Sequence, residues 1–177
     1  MAISDYLRSL RVHIGTDLVL LPSVAVMVRD EAGRLLLVRD RDTSMWQTVG
    51  GAMDPNEQPA DAAVREAYEE TGLLVEPTRI IGVHAGPLFC LTYPNGDVVS
   101  YVGIAFAARG VGGAERPCQE EVDRLGWFGR EEALALPMAG HTRLLIENAF
   151  RNGAEAAFTA PSWHPGGWLA GTGATPI

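Results

Sequence analysis

The first apolar residues of the chain recur at the spacing of one helix face: Ile3, Leu7, Leu10 and Ile14. Ser4 is a suitable N-cap residue, so we predict a short amphipathic helix over residues 3–14. Two β-rich runs follow, over residues 18–28 and 34–40, and the turn sequence DEAG between them predicts a β-hairpin. Residues 46–49 are predicted to form a third, short strand.

The rest of the chain alternates strand and helix patterns. Gly72 stands where a helix C′ residue belongs, directly after a predicted helix over residues 59–71. The later segments are strands over 79–86, 88–93, 98–109 and 121–128, a glycine-rich loop over 110–117, and helices over 130–136 and 141–152. Interleaved strands and helices of this kind predict a mixed α/β fold class.

Composition indicates one domain with an apolar core. The chain has 177 residues, of which 47% are hydrophobic, and we assign a single domain to residues 1–158 with its core at about 19–152. Residues 159–177 are rich in Gly and Pro and are predicted to be a C-terminal tail, in which the roles of Trp163 and Trp168 stay open.

Charge and hydropathy limit the classes of partner. A formal charge of −8 argues against nucleic acid and against anionic membranes. No apolar run approaches the roughly 20 residues that span a bilayer, and the first residues lack the apolar segment of a signal peptide. We therefore expect a cytoplasmic protein. Cys90 and Cys118 are expected to be buried thiols, although a disulfide between them stays open.

The segment from Gly50 to Leu73 is unusually acidic. At about 100° per residue, Glu66, Glu69 and Glu70 share an arc of about 100° on the predicted helix. The neighbouring arc is apolar, includes Tyr68, and is expected to face the sheet. Like charges at this spacing weaken a helix, whereas hard divalent cations prefer several oxygen ligands. A solvated acidic face is the alternative, but the neighbouring apolar face and the preceding glycines favour a metal site.

The same segment resembles the sequence motif of the Nudix hydrolases, the Nudix box. Gly51, Glu57 and the run from Arg65 to Leu73 fit that motif position for position, an agreement expected by chance on the order of 10⁻⁸ per register. The resemblance to bacterial Nudix hydrolases extends over about residues 19–152, with one departure at Val49, where many relatives carry Pro. It implies the Nudix α/β/α sandwich around a mixed β-sheet.

The resemblance also implies roles for single residues. Glu66, Glu69 and Glu70 would bind Mg²⁺ or Mn²⁺ together with the backbone carbonyl of Gly51, and Glu66 or Glu70 would take a proton from the attacking water. Glu57 would be structural. Arg65, which we place in the catalytic group, would clamp a carboxylate of the box.

Other charged residues are weaker candidates. Arg39 and Arg41 follow the second strand and either contact substrate phosphates or lie at the surface. Glu120 and Glu121 either supply an additional acid–base group, as many Nudix enzymes do from this region, or are surface charges. The histidines are expected to have ordinary roles: His13, His84, His141 and His164.

The resemblance implies hydrolysis of a nucleoside diphosphate linked to another moiety. ADP-ribose or a related nucleoside diphosphate sugar is the first candidate, although Pro87 lies one position short of the proline that marks that subfamily. A (deoxy)nucleoside triphosphate or an oxidised nucleotide is the second. A non-catalytic, nucleotide-sensing domain is the alternative class, but the intact box argues against it. A homodimer is a further candidate assembly.

Overall fold

The computed structural model describes residues 4–151 and 155–162. Their helices are α1 (Asp5–Ile14), α2 (Pro59–Thr71), α3 (Arg130–Ala135) and α4 (Gly140–Ala149), with a 3₁₀ turn at Pro87–Phe89. The strands are β1 (Val19–Arg29), β2 (Leu35–Asp40), β3 (Trp46–Thr48), β4 (Leu73–His84), β5 (Cys90–Thr92), β6 (Val98–Gly113) and β7 (Val122–Phe128). No helix in these ranges is long and apolar enough to cross a membrane.

The described strands form one mixed sheet of seven strands, in the order β3-β2-β1-β6-β4, with β5 beside β6 and β7 beside β2. β1 and β6 run parallel and the other strand pairs are antiparallel. β1 pairs with β2 only at the hairpin end, Arg29 opposite Leu35. Beyond that point the loop at residues 49–53 takes the place of β2, because the amides of Val24 and Val26 donate hydrogen bonds to this loop. This change of neighbour places the loop at residues 49–53, which we call the box loop, along the edge of β1.

Alternate residues of β1 enter two separate cores. Val24, Val26 and Val28 pack with the alanines of α2 on one face of the sheet. Ala25 and Met27 pack on the other face with buried residues of α3 and α4. The sheet is therefore covered by helices on both faces, which confirms the predicted α/β/α sandwich around a mixed sheet.

Local signals placed most element boundaries within a few residues. The Ser4 side chain caps α1 by accepting a hydrogen bond from the amide of Leu7, and Gly72 ends α2 with a φ of 73°. The glycine-rich loop predicted at 110–117 is wrong in its first half, because β6 continues to Gly113 in pairing with the start of β4. Its glycines suit a close approach, since a Cβ on Gly113 would lie 2.3 Å from the carbonyl oxygen of Gly72.

Two predictions about exposure are wrong. The buried face of α2 is rotated toward the glutamates, so that Glu70 is only 5% exposed while Tyr68, expected to face the sheet, is 45% exposed. The cysteines are free and not buried: Cys90 is exposed, because it starts the short strand β5 with its side chain outward, and Cys118 is partly exposed. Trp163, Trp168 and His164 lie outside the described residues.

Candidate active site

Helix α2 carries the acidic residues to the loop at residues 49–52. Pro59 occupies the first helical position, where its missing amide costs nothing. The buried alanines Ala62, Ala63 and Ala67 let the helix approach the sheet closely. Gly51 lies against the Glu66 carboxylate, and a Cβ at this glycine would be 2.6 Å from Glu66 Oε1. The absence of a side chain at Gly51 therefore leaves the space that the Glu66 carboxylate fills.

Glu70 and Glu66 are carboxylates in a low-dielectric position. Glu70 accepts a hydrogen bond of 3.1 Å from the Gly50 amide, yet burial raises the pKa of its carboxyl well above the ordinary value. Burial also raises the pKa of Glu66 to about 7, against the opposing effect of Arg65. A bound cation would relieve both the burial cost and the repulsion between these two groups.

Arg65 joins the acidic residues of the box. Its guanidinium donates to both carboxylate oxygens of Glu57 at 2.8 and 2.9 Å, to Glu66 at 2.8 Å and to Glu69 at 3.0 Å. It also donates to the carbonyl of Ala52 at 3.1 Å. These bonds raise its pKa, the hydrogen bond to Glu57 first among them. The contacts are those that a clamp between the loop and the helix requires.

The donor set fits a hard divalent cation. In the described ranges no three acidic, His or Cys side chains already form a ligand shell, and Glu66 and Glu69 are paired with Arg65. Glu66 and Glu70 are nevertheless adjacent oxygen donors whose charges burial disfavours. The Gly51 carbonyl accepts the Val24 amide at 2.9 Å and retains a second lone pair. These oxygens are of the type that Mg²⁺ and Mn²⁺ prefer.

The box borders a cleft of about 590 Å³. Its floor is one face of β1 and β6, and its walls come from α2, the segment at residues 118–121, the 3₁₀ turn, β5, α4 and the first turn of α1. Both Glu120 and Glu121 line it. Glu121 is half-buried and contributes to the raised pKa of Glu66 and of Glu70, whereas Glu120 is exposed. Of the two glutamates, Glu121 is therefore the one whose charge affects the pKa values of the box carboxylates.

Arg39 and Arg41 are not among the residues that line the cleft. Arg39 pairs with Asp123 across strands β2 and β7, its Nε donating at 2.8 Å. Arg41 donates to the carbonyl of Gln119. Both guanidinium groups are therefore committed to protein partners, and a role in binding phosphate stays a prediction.

Several lining residues were not predicted from the sequence. Tyr93 and Tyr101 contribute their hydroxyl groups, and Leu7 adds an apolar side chain from α1. His141 lines the cleft at 5.9 Å from the ring of Phe89, which stacks on buried His84 at 5.6 Å. The Asn-Gly pair after Tyr93 predicted the turn. No local pattern, however, indicates that Tyr93, where this turn begins, contacts β6 in the cleft.

Comparison with known proteins gives consistent results. The sequence model of the NUDIX domain matches residues 19–149. A MutT-like protein of Streptomyces ambofaciens is 34% identical over 110 residues, which are 62% of this chain and 64% of that protein. A Bacillus subtilis protein, provisionally named 8-oxo-dGTP diphosphatase, is 42% identical over 64 residues, 36% of this chain and 43% of its own. The chain thus spans less than two thirds of the length of either relative.

A structural neighbour supports the fold. The crystal structure of a UDP-X diphosphatase superimposes with a TM-score of 0.61 at 20% identity, covering 85% of this chain and 70% of that chain. Likeness at this identity concerns the fold alone, and it agrees with the sandwich described above. The family match covers most of the chain and includes the whole acidic segment. The chain belongs to the NUDIX family.

Proposed function

We propose that the protein hydrolyses the diphosphate anhydride of a nucleotide derivative with the help of Mg²⁺ or Mn²⁺. The observation that carries the proposal is the position of half-buried Glu66 and buried Glu70 against Gly51 and Gly50 at the edge of a substrate-sized cleft. In the reaction, the oxygen of a water molecule bonds to one phosphorus and the bond from that phosphorus to the bridging oxygen breaks. The two products share the diphosphate's phosphorus atoms, one each.

Glu66, Glu69 and Glu70, with the Gly51 carbonyl, would hold the metal. When bound, the metal lowers the pKa of water and neutralises charge on the phosphate oxygens. Glu66 or Glu70 would accept the proton of the attacking water, since both carboxylates line the cleft beside the proposed metal site. Arg65 holds Glu66 and Glu69 in place through the hydrogen bonds described above.

The charge of the cleft favours a diphosphate over a triphosphate substrate. Of the described side chains in its lining, seven are carboxylates and one is a guanidinium, Arg65. Arg65 is already bonded to two of these acids, Glu66 and Glu69, and to Glu57 outside the lining. A triphosphate carries more negative charge than a diphosphate esterified at both ends. We therefore place ADP-ribose or a related nucleoside diphosphate sugar first, as the name of the UDP-X diphosphatase also suggests.

A second candidate substrate is a (deoxy)nucleoside triphosphate or an oxidised nucleotide. It is favoured by the name of the Bacillus subtilis relative. A non-catalytic, nucleotide-sensing domain is a weaker proposal, because the acidic residues of the box are all present and lie together. We also propose a cytoplasmic location and a homodimeric assembly.

A substrate screen tests this proposal. Wild-type protein with Mg²⁺ is incubated with ADP-ribose, UDP-glucose, dGTP and 8-oxo-dGTP in ¹⁸O-labelled water, with EDTA as the control. We expect AMP and ribose phosphate from ADP-ribose, with one ¹⁸O atom in one of the two products. Turnover of the triphosphates without turnover of any diphosphate sugar would reverse the ranking, and no turnover of any compound would refute the proposed reaction.

A further inference from the structure

The cleft has few positive groups for an anionic substrate. Arg65 is engaged by Glu57, Glu66 and Glu69. Burial lowers the pKa of His141 and so favours its neutral form. A bound metal would neutralise some phosphate oxygens, and the others would still need preorganised hydrogen-bond donors. In the part of the lining that the structure describes, those donors have to be neutral groups.

Tyr93 and Tyr101 form a hydroxyl pair in this cleft. Their oxygens are 2.8 Å apart, and both side chains are half-buried and line the cleft. Tyr101 lies within β6, opposite Leu21 of β1. Tyr93 begins a tight turn that is closed by hydrogen bonds of 2.9 Å from its amide to the Asp97 carbonyl and from the Gly96 amide to its own carbonyl. Regular structure and a tight turn therefore hold both hydroxyl groups in place.

A bond between two hydroxyl groups uses one of their two protons. Across residues 4–151 and 155–162 neither hydroxyl makes another hydrogen bond, so the second proton is available to a group in the cleft. Burial raises the pKa of both tyrosines, and the carboxylates of Glu121 and Glu66 add to the rise for Tyr93 and Tyr101 respectively. The pair therefore stays protonated, within electrostatic reach of the acidic end of the cleft.

We propose that the Tyr93–Tyr101 pair positions the substrate: one hydroxyl donates to the other, and the remaining proton is donated to a non-bridging oxygen of the diphosphate. This inference rests on the proposed function for the reaction. It adds that a neutral donor pair orients the phosphate, because the described lining residues supply no cation besides Arg65. Because either hydroxyl can be the terminal donor, the loss of one leaves the other able to donate.

The test compares Tyr93→Phe, Tyr101→Phe and the double variant by kcat/KM on ADP-ribose. Tyr6→Phe is the matched control, since Tyr6 is exposed on α1 and does not line the cleft. A hydrogen bond to a charged group corresponds to about 10- to 100-fold in kcat/KM, which we expect the double variant to lose. Each single variant should lose only a few-fold in kcat/KM, so the loss in the double variant should exceed the product of the two single losses. A double variant within threefold of wild type, with an unchanged melting temperature, would overturn the proposal.

A second measurement separates phosphate contact from contact with the sugar. The double variant should lose the same factor on ADP-ribose and on any other diphosphate that the wild type cleaves, and its inhibition by methylenediphosphonate should weaken equally. A loss confined to one substrate, or unchanged inhibition, would place the pair against the variable moiety and overturn the inference. If the double variant fails to fold, the inhibition constants of the single variants decide, since at least one should rise.

The inference and the proposed function can fail separately. If wild-type protein cleaves no nucleotide, the proposed reaction is refuted, and calorimetric titration with ADP-ribose tests the pair alone. Weaker binding by the double variant then supports the pair as a phosphate site. Equal binding by the two proteins, or no binding by either, overturns it.

Discussion

Alanine substitutions at Gly50 and Gly51 should separate folding from catalysis. At Gly51 a new Cβ would lie 2.6 Å from Oε1 and 2.8 Å from Cδ and Oε2 of Glu66, whereas ordinary carbon contacts are about 3.5–4.0 Å. The Glu66 carboxyl must therefore move by about 1 Å, which can cost about a hundredfold in kcat. The clash is with the end of a flexible side chain, so the free energy of unfolding should change by less than about 1 kcal/mol.

Gly50→Ala is the matched contrast. Gly50 has a φ of 142°, and its Cβ would meet the carbonyl oxygen of Val24 at 2.1 Å. The backbone conformation alone costs of the order of 1–3 kcal/mol for a residue with a side chain, and the clash is with backbone that cannot turn away. At about 2–4 °C per kcal/mol for a chain of this size, the melting temperature should fall by about 5–10 °C.

The assay measures AMP release at saturating Mg²⁺ and melting by differential scanning fluorimetry on both variants. We expect Gly51→Ala to melt within about 4 °C of wild type with kcat reduced about a hundredfold. Wild-type kcat in a normally folded Gly51→Ala protein would refute the reasoning, because it would mean that the Glu66 carboxylate can leave its present position without consequence.

Two further predictions follow from the burial of ionisable groups. If Glu121 is the additional acid–base group, Glu121→Gln should lower kcat by about 10²- to 10⁴-fold, whereas Glu120→Gln, at an exposed position, should stay within a few-fold of wild type. Equal, small effects of the two substitutions would mean that the box glutamates alone carry out the acid–base chemistry. Burial lowers the pKa of His84 from 6.5, so its contribution to stability is complete above about pH 6.5 and is lost as the pH falls. Relative to His84→Gln, wild type should lose free energy of unfolding between pH 7.5 and 5.5 in urea titrations. Parallel pH profiles for wild type and His84→Gln would contradict this.

Local chemistry explains what the sequence predicted well. The N-cap Ser4 and the C′ residue Gly72 set the bounds of α1 and α2, because both act on the backbone within one turn. The spacing of Glu66 and Glu70 likewise predicted that both residues lie on the same side of α2. These features depend on residues that are neighbours along the chain.

Long-range contacts explain the rest. Apolar periodicity does not predict that Glu70 is buried. Its burial depends on the box loop, which pairs with the edge of β1 and donates the Gly50 amide to Glu70, and no local pattern contains that pairing. Arg39 faces Asp123 only because β2 pairs with β7, more than eighty residues further along the chain. The Tyr93–Tyr101 pair depends in the same way on the meeting of a turn with β6.

The most direct test of the central claim is the turnover of ADP-ribose by Glu70→Gln at saturating Mg²⁺. Glutamine keeps an oxygen that can accept the Gly50 amide but removes the negative charge. We predict a loss in kcat of at least about a hundredfold, with little change in melting temperature. The control is Glu76→Gln, which removes a carboxylate paired with Arg109 at the surface and should retain activity. Near-normal turnover by folded Glu70→Gln would contradict the assignment of the buried box carboxylates to catalysis.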